Sequence, residues 1–311
     1  IYTTTGGNSP QLAMNEIAKR IKSGEIDCSL IAGGEALDTL VTRLKSGMDM
    51  DWSDDPGGEA EIIGSDKDGT NDHEKIYGLV NPANVYPLFA NALRAIDGTS
   101  PARHMLEVGE LFSRFSKVAS QNKHAWFPTH RSPEEIAEAK PENRIVGFPY
   151  TKYMNSVMRV NQSSALVMMS AKKARDMEIP QSKWVFMHAG ACVNEIFHIS
   201  NRIDYHSSPA IKACTESVFD LSGTTQRDMD FLDIYSCFPS AVQIAIKEMG
   251  IEPSDPRDLT LTGGLPYFGG PGNAYVLNSM ASMMEKCRKN PNKFTLVTAN
   301  GWYLTKHGAG I

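Results

Sequence analysis

The apolar residues of this chain follow two patterns, short continuous runs and repeats of three to four positions. Residues 1–5 are β-branched or aromatic, and Gly6 and Gly7 end that run. Residues 11–22 then carry apolar side chains on one helical face, and residues 27–32 form a second short apolar run. This order predicts a βαβ unit whose second strand is buried on both faces. Such a unit places its first turn at the carboxyl end of a parallel sheet, where ligands bind.

The segment 42–144 has a different character. It contains many prolines and glycines and two acidic stretches, 49–55 and 66–72, and signals for strands are nearly absent. Helical repeats occur at 87–96 and 104–121. These features predict a mostly helical insertion that forms a lid or a wall of a pocket. The alternative is a polar segment that only covers the core.

The second half repeats the order strand, turn, helix. Strand-like runs lie at 164–170, 184–190, 231–235 and 294–299, and residues 308–311 have the form of a further strand. Helical repeats lie at 171–177, 209–221 and 238–249. Together with the first half, these runs predict an α/β protein.

Residues 261–283 combine five glycines within ten positions with a helical repeat that follows them. Glycine permits positive φ angles and close approach of the backbone to a neighbour. A helix N-terminus carries free N–H groups that favour an anion or a polarised carbonyl. The segment therefore predicts a loop that faces a ligand, and the alternative is an ordinary turn between a strand and a helix.

Composition limits the classes of function. The 311 residues suffice for two domains, or for one domain with a large insertion, and the net charge of -5 argues against nucleic-acid binding. No apolar run reaches the length of a membrane span. The five cysteines have neither metal-site nor disulfide spacing, and the acidic stretches lack the calcium-loop pattern, so we expect no metal and a cytoplasmic location. The first residue, Ile1, suggests a fragment or a trimmed chain.

Five short segments, taken together, resemble the thiolase superfamily, most closely its sterol-carrier-protein-thiolase and acetyl-CoA acetyltransferase-like branch. They are GGNSPQLAMNEIAKRIKSGEIDCSLIAGGEA, MRVNQSSALVMMSAKKARDMEI, DIYSCFPSA, TGGLPYFGGPGNAY and TANGWYLTKHG. The resemblance implies two βαβαβαββ halves in a five-layer α-β-α-β-α core, with a loop domain in the first half. It implies an amino-terminal half at 1–41 and 145–190 whose first strands are missing, a loop domain at 42–144 and a carboxy-terminal half at 191–311.

The resemblance also implies positions for the catalytic groups, and the expected side chains are absent from them. The acyl-accepting cysteine of the family falls at Gly7, and the Asn or His that binds the thioester oxygen through a water falls at Tyr235. The histidine of the G-H-P motif falls at Gly270, and the second cysteine falls at Ala299. A thiolase needs an activated thiol, a base and an oxyanion site, so we expect ordinary thiolysis to be lost.

Four side chains are candidates for remaining chemistry, because the resemblance places them on two turns that face the family's pocket. Tyr235 and Tyr303 are candidate phenolic acids, as in steroid side-chain aldolases of this fold, or ordinary core and rim tyrosines. Cys237 is a candidate thiol or a small buried residue at a strand end. His307 is a candidate base or an exposed loop histidine.

Three hypotheses for function follow from the resemblance. The first is a thiolase-like protein that binds acyl-CoA as its substrate, with no tightly bound cofactor, and that does not carry out thiolysis. The second is a carbon–carbon lyase that cleaves a β-hydroxyacyl-CoA by a retro-aldol reaction, together with an OB-fold partner protein. The third is a non-catalytic subunit of a thiolase-type complex. Homodimerisation is the family norm.

Overall fold

The computed structural model describes residues 1–52 and 57–311 as a mixed α/β structure. The strands are β1 (Tyr2–Thr3), β2 (Cys28–Ala36), β3 (Ile62–Ile63), β4 (Ile145–Gly147), β5 (Tyr150–Thr151), β6 (Asn161–Met169), β7 (Gly190–Asn194), β8 (Met229–Asp233), β9 (Phe294–Gly301) and β10 (Lys306–Gly310). The helices are α1 (Ser9–Ser23), α2 (Leu37–Ser46), α3 (Asp72–Ile76), α4 (Pro82–Ile96), α5 (Pro101–Ser120), α6 (Pro133–Ala137), α7 (Ala171–Asp176), α8 (Pro209–Ser222), α9 (Pro239–Glu248) and α10 (Tyr275–Lys289). No helix within the described ranges is long and apolar enough to cross a bilayer.

The predicted α/β class is confirmed, and a four-stranded sheet organises the carboxyl half. Its order is β7-β10-β9-β8. Strands β8 and β9 run parallel, and β10 is antiparallel to both of its neighbours. Helix α8 packs on β7 and β10, and α10 packs on β9 and β6. The five-layer arrangement and the three domain boundaries implied by the resemblance stay predictions.

Strand β2 pairs along its whole length with β6, and the predicted burial on both faces is wrong. Leu30 and Val167 lie directly opposite each other in register, and their side chains are 65% and 53% exposed. The other face is covered, because Gly33 lies against Ala274 and Leu277. Within residues 1–52 and 57–311 no second layer covers the side of Leu30. Strand β1 pairs with β3, so the two strands of the predicted βαβ unit lie in different sheets.

The segment 42–144 is mostly helical, as its pattern predicts. Helices α4 and α5 begin five and three residues earlier than the repeats at 87–96 and 104–121 indicate, because Asn81 and Ser100 cap their N-termini and proline follows each cap. The aromatic residues of both helices share one apolar cluster with α8, α9 and β8. The insertion therefore packs on the carboxyl half. Residues 53–55 of the predicted acidic stretch lie outside the described residues.

The strand predicted at 184–190 is placed wrongly. Its pairing partner β10 ends at Gly310, which lies opposite Gly190. Among the described residues, no strand pairs with residues 184–189. The amides of His188 and Ala189 donate hydrogen bonds to the carbonyl of Ile311, which follows β10. The regular strand instead continues to Asn194. The strand predicted at 231–235 lies two residues earlier, at Met229–Asp233.

A buried carboxylate at the end of β8 fixes the glycine-rich loop that precedes α10. Asp233 accepts hydrogen bonds from the amides of Leu261 (2.8 Å) and Thr262 (3.1 Å) and from the hydroxyl of Ser279 (2.9 Å). Burial raises the pKa of the Asp233 carboxyl, and these bonds oppose the rise. One side chain thus joins a strand, a loop and a helix.

Replacement of this carboxylate tests its contribution to stability. We expect Asp233→Ala to lower the free energy of unfolding by about 3 kcal/mol or more, because it leaves several buried donors without an acceptor. Urea denaturation followed by circular dichroism measures the loss. The control is Asp230→Ala on the same strand, whose partly exposed ion pair with Lys293 is worth about 1 kcal/mol or less. Equal losses in the two variants would contradict the assignment.

Candidate functional site

A short turn joins β1 to α1, and groups from distant parts of the chain fix it. The amide of Gly6 donates to Oδ1 of Asn273 at 2.9 Å, and the hydroxyl of Ser9 donates to the carbonyl of Thr4 at 2.7 Å. Asn273 follows the glycines of residues 263–272 and lies two residues before the start of α10. The two glycine-containing segments that the sequence singled out therefore meet at this turn.

A buried lysine holds the same turn from another side. Lys306 is 4% exposed, and its ammonium group donates to the carbonyls of Thr5 (2.8 Å) and Ser65 (2.6 Å). Burial lowers the pKa of Lys306. Because Thr5 precedes the turn and Ser65 belongs to the insertion, Lys306 links the turn to the insertion.

The space beside Gly7 is filled by other groups. A Cβ atom placed on Gly7 in ideal geometry would lie 2.4 Å from the hydroxyl oxygen of Tyr235 and 2.2 Å from the carbonyl oxygen of Asn300. Real Cβ atoms do not approach other atoms so closely. Hence any side chain at position 7 requires movement of Tyr235, of the Asn300 backbone, or of the turn itself.

Tyr235 and Cys237 follow β8; Tyr235 is buried, and Cys237 is partly buried against the core. The amide of Tyr235 donates to the hydroxyl of Thr298 at 2.9 Å, and its ring packs edge-on against Tyr275. Burial raises the pKa of the Tyr235 hydroxyl, and it raises the pKa of the Cys237 thiol to about 12. Both groups are therefore protonated near neutral pH, and Cys237 lacks the thiolate character of a nucleophile.

Ala299 and His307 lie on the paired strands β9 and β10. Ala299 is opposite Gly308, and His307 is opposite Asn300. His307 is 2% exposed and belongs to a strand, so the alternative of an exposed loop histidine is wrong. Burial lowers the pKa of His307 to about 4, and the ring is therefore neutral near pH 7.

Tyr303 lies in the hairpin turn between β9 and β10. Its hydroxyl donates to the carbonyl of Val80, just before α4. Its neighbours Trp302 and Leu304 have φ angles of 54° and 53°, a left-handed conformation that is unfavourable for residues other than glycine. Tyr303 is thus engaged with the insertion, whereas Tyr235 lies against Gly7.

Gly270 is similarly crowded. A Cβ atom placed on it would lie 2.3 Å from the hydroxyl oxygen of Ser156. The amide of Ser156 in turn donates to the carbonyl of Cys237 at 3.0 Å, and the amide of Gly270 donates to the carbonyl of Val157 at 2.9 Å. Gly270 is therefore linked to the segment that follows β8 through Ser156.

The structure brings Gly7 and Tyr235 into direct contact and joins them, through Asn300, to the strand pair that carries Ala299 and His307. The chemical roles of these residues stay predictions. Sequence reasoning missed three residues of this region. Asn300 and Lys306 both stand in the quoted TANGWYLTKHG segment, whereas Ser156 lies outside the quoted segments. None of the three carries a local signal for its role, since their partners lie far away in sequence.

The chain is similar to a solved structure of substantial sequence identity. A monomeric SCP2-thiolase-like protein type 1 from Mycobacterium smegmatis is 34% identical, with a TM-score of 0.84. The match covers 99% of this chain and 60% of that protein. No protein-family model matches the chain.

Two further proteins are more distant. The Ltp2-ChsH2(DUF35) aldolase is 16% identical, with a TM-score of 0.72, and the match covers 98% of this chain and 78% of that protein. An acetyl-CoA acetyltransferase from Methanocaldococcus jannaschii is 21% identical over 252 residues, which are 78% of this chain and 54% of that protein. The chain thus spans about half the length of this curated relative. The fold, the motifs quoted above and the identity to the mycobacterial protein agree, and the chain belongs to the thiolase-like superfamily.

Proposed function

We propose that this protein binds an acyl-CoA thioester and does not form an acyl-enzyme, so that it does not carry out ordinary thiolysis. The observation that carries the proposal is the contact between Gly7 and Tyr235. Thiolysis proceeds by attack of a cysteine thiolate on the thioester carbonyl. At the position that corresponds to this cysteine there is no side chain, and the hydroxyl of Tyr235 fills the adjacent space.

Three further positions support the same conclusion. Ala299 and Gly270 carry no acid or base, and the space beside Gly270 is occupied by the hydroxyl of Ser156. Cys237 lies in the segment after β8, and burial raises the pKa of its thiol to about 12. Cys237 therefore provides no thiolate for removal of a proton at the α-carbon.

A second candidate function is retro-aldol cleavage of a β-hydroxyacyl-CoA. Tyr235 favours it, because a hydroxyl lies at the place of the missing nucleophile, and a fold relative is an aldolase that carries a DUF35 component. In this reaction a base takes the proton of the β-hydroxyl group while the Cα–Cβ bond breaks. An aldehyde or ketone leaves, and the resulting enolate of the acyl-CoA is protonated at Cα.

Each proposed function implies a different assembly with partner proteins. The aldolase relative is a complex with a DUF35 component, whereas the mycobacterial relative is monomeric. An OB-fold partner would accompany the lyase function, and a mixed assembly with an active thiolase would accompany a non-catalytic role. Homodimerisation remains the expectation from the family, and native mass spectrometry distinguishes the three assemblies.

If the hydroxyl of Tyr235 fills the space beside Gly7, the effects of substitutions at positions 7 and 235 on the free energy of unfolding should be coupled. We expect Gly7→Ala to lower the free energy of unfolding by about 2 kcal/mol, because the added methyl group overpacks the site. The same change made in a Tyr235→Leu background should be less destabilising, by about 1 kcal/mol, since the hydroxyl is gone. Urea denaturation of the four proteins measures the coupling.

The matched control for this cycle is Gly33→Ala. A Cβ atom on Gly33 would lie 3.3 Å from Cβ of Ala274, which a small adjustment accommodates. Its effect should be small and independent of Tyr235. If Gly7→Ala were equally destabilising in both backgrounds, Tyr235 would not be the group that fills the space.

Activity assays test the two functions separately. We expect acetyl-CoA to bind in isothermal titration calorimetry, while acetoacetyl-CoA is not cleaved in the presence of coenzyme A. The Gly7→Cys variant should be equally inactive, because it supplies a thiol without a base at Ala299. Thiolysis by the unmodified protein at rates typical of the family would refute the main proposal.

The lyase candidate predicts an effect of the Tyr235 hydroxyl on cleavage of a β-hydroxyacyl-CoA. We expect Tyr235→Phe to lower kcat/KM by about 100-fold, the contribution usual for a positioned acid or base. Tyr303→Phe should have a smaller effect, because its hydroxyl is engaged by Val80. The control is Tyr267→Phe, since the buried hydroxyl of Tyr267 has no partner among the described residues. An unchanged rate in Tyr235→Phe removes the lyase candidate and leaves the binding proposal to the calorimetry.

A further inference from the structure

A small cavity lies between the paired strands β9 and β10 and the helices α8 and α9. Its volume is about 20 Å³, and all of its lining residues are buried. Its lining includes the polar side chains of Asn300, His307, Tyr235, Thr215 and Thr298, and Ala241 and Ala245 belong to its apolar wall. A cavity needs roughly 10–15 Å³ of this measure to hold one water molecule. The volume therefore suits a ligand with a single non-hydrogen atom.

Two buried polar atoms of the lining residues lack a partner within the described part of the chain. They are Nε2 of His307 and Oδ1 of Asn300. The two residues are 2% and 4% exposed and lie directly opposite each other in the antiparallel register of β9 and β10. Cβ atoms of such a pair are about 4.5–5.5 Å apart, so both atoms belong to one small region. A buried polar atom without a partner destabilises the folded state.

Both atoms are hydrogen-bond acceptors. The amide nitrogen of Asn300 donates to the hydroxyl of Tyr86 at 3.0 Å, and that hydroxyl donates to the carbonyl of Trp302 at 3.0 Å. These two successive hydrogen bonds fix the orientation of the Asn300 side-chain amide and leave its Oδ1 as an acceptor. Nε2 is the ring nitrogen of His307 that lacks a partner among the described residues, and in the neutral tautomer with its proton on Nδ1 it offers a lone pair.

We propose that this cavity binds one water molecule, which donates one hydrogen bond to Nε2 of His307 and the other to Oδ1 of Asn300. Water is the smallest ligand with two donors, and it matches the two acceptors and the volume. None of the lining residues is acidic, which disfavours a bound cation. The charged groups that act on His307 are Arg202 and Glu195, whose charges have opposite effects on the ring.

The bound water has a positioning role. It joins the two strands of the hairpin through side chains, in addition to their backbone ladder. Asn300 is the residue whose carbonyl oxygen lies against Gly7. By fixing the side chain of Asn300, the water holds a residue that contacts Gly7, and Tyr235, which also contacts Gly7, lines the same cavity. This inference depends on the geometry of the cavity and not on the reaction proposed above.

Nuclear magnetic resonance of the protein with ¹⁵N-labelled histidine tests the water directly. We expect the His307 ring to carry its proton on Nδ1, to show cross-relaxation with a long-lived water, and to stay neutral down to about pH 4. The control is His104, which is also 2% exposed and has an unpartnered Nε2, but which does not line this cavity. Cross-relaxation at His307 alone supports the proposal; its absence, or equal signals at both rings, overturns it.

Substitutions of the two acceptors complete the test. Asn300→Leu should abolish the water signal at His307. In urea denaturation, the loss for Asn300→Leu combined with His307→Leu should be smaller than the sum of the two single losses, because the water is already absent after the first change. Additive losses would overturn the bridge. The same spectra recorded with ¹⁵N-ammonium chloride detect an ammonium ion in place of water, which would also overturn it.

Discussion

The candidate site depends on the carboxylate of Asp233. Strand β8 ends at this residue, so the carboxylate lies where the strand gives way to the segment that carries Tyr235 and Cys237. Through the amides of the glycine-rich loop and the hydroxyl of Ser279, the carboxylate sets the position of that loop and of α10 relative to the strand. Asn273, which holds the turn at Gly6, precedes this helix. An interaction outside the site thus determines how two of its walls meet.

Close packing characterises the surroundings of Gly7 and Gly270. The hydroxyl of Tyr235 takes the space in which a side chain at position 7 would begin, and the hydroxyl of Ser156 does the same at Gly270. Interiors of proteins are packed as densely as organic crystals, so a lost side chain leaves a void unless a neighbour fills it. At both positions a neighbouring hydroxyl fills the space. Both glycines therefore lie in a well-packed part of the structure.

The sequence predicts local structure well in this protein and long-range contacts poorly. Helices α1, α8 and α10 follow from their apolar repeats and their glycine or proline boundaries, because these signals act within a few residues. The burial of β2 and the start of β7 were predicted wrongly, since both depend on which strand lies alongside. The position of Gly7 in a glycine turn was predictable.

The contacts that define the site were not predictable in the same way. The filling of the space beside Gly7 by Tyr235 and Asn300 joins residues that are more than 200 positions apart. Lys306 is a similar case, because a single lysine in a polar segment gives no sign that it will be buried between two carbonyl groups. Such roles follow from the assembled fold.

The hairpin between β9 and β10 also links the insertion to the core energetically. Trp302 and Leu304 are in left-handed conformations, which are unfavourable by roughly 1–2 kcal/mol per residue. Contacts with the insertion hold them there, since Gly69 packs on the indole ring of Trp302 and Tyr86 bonds to its carbonyl. If the insertion opened, the hairpin would lose the contacts that offset its strain and would relax as well. We therefore expect the two regions to unfold locally as one cooperative unit, with similar rates of exchange of their amide protons with solvent.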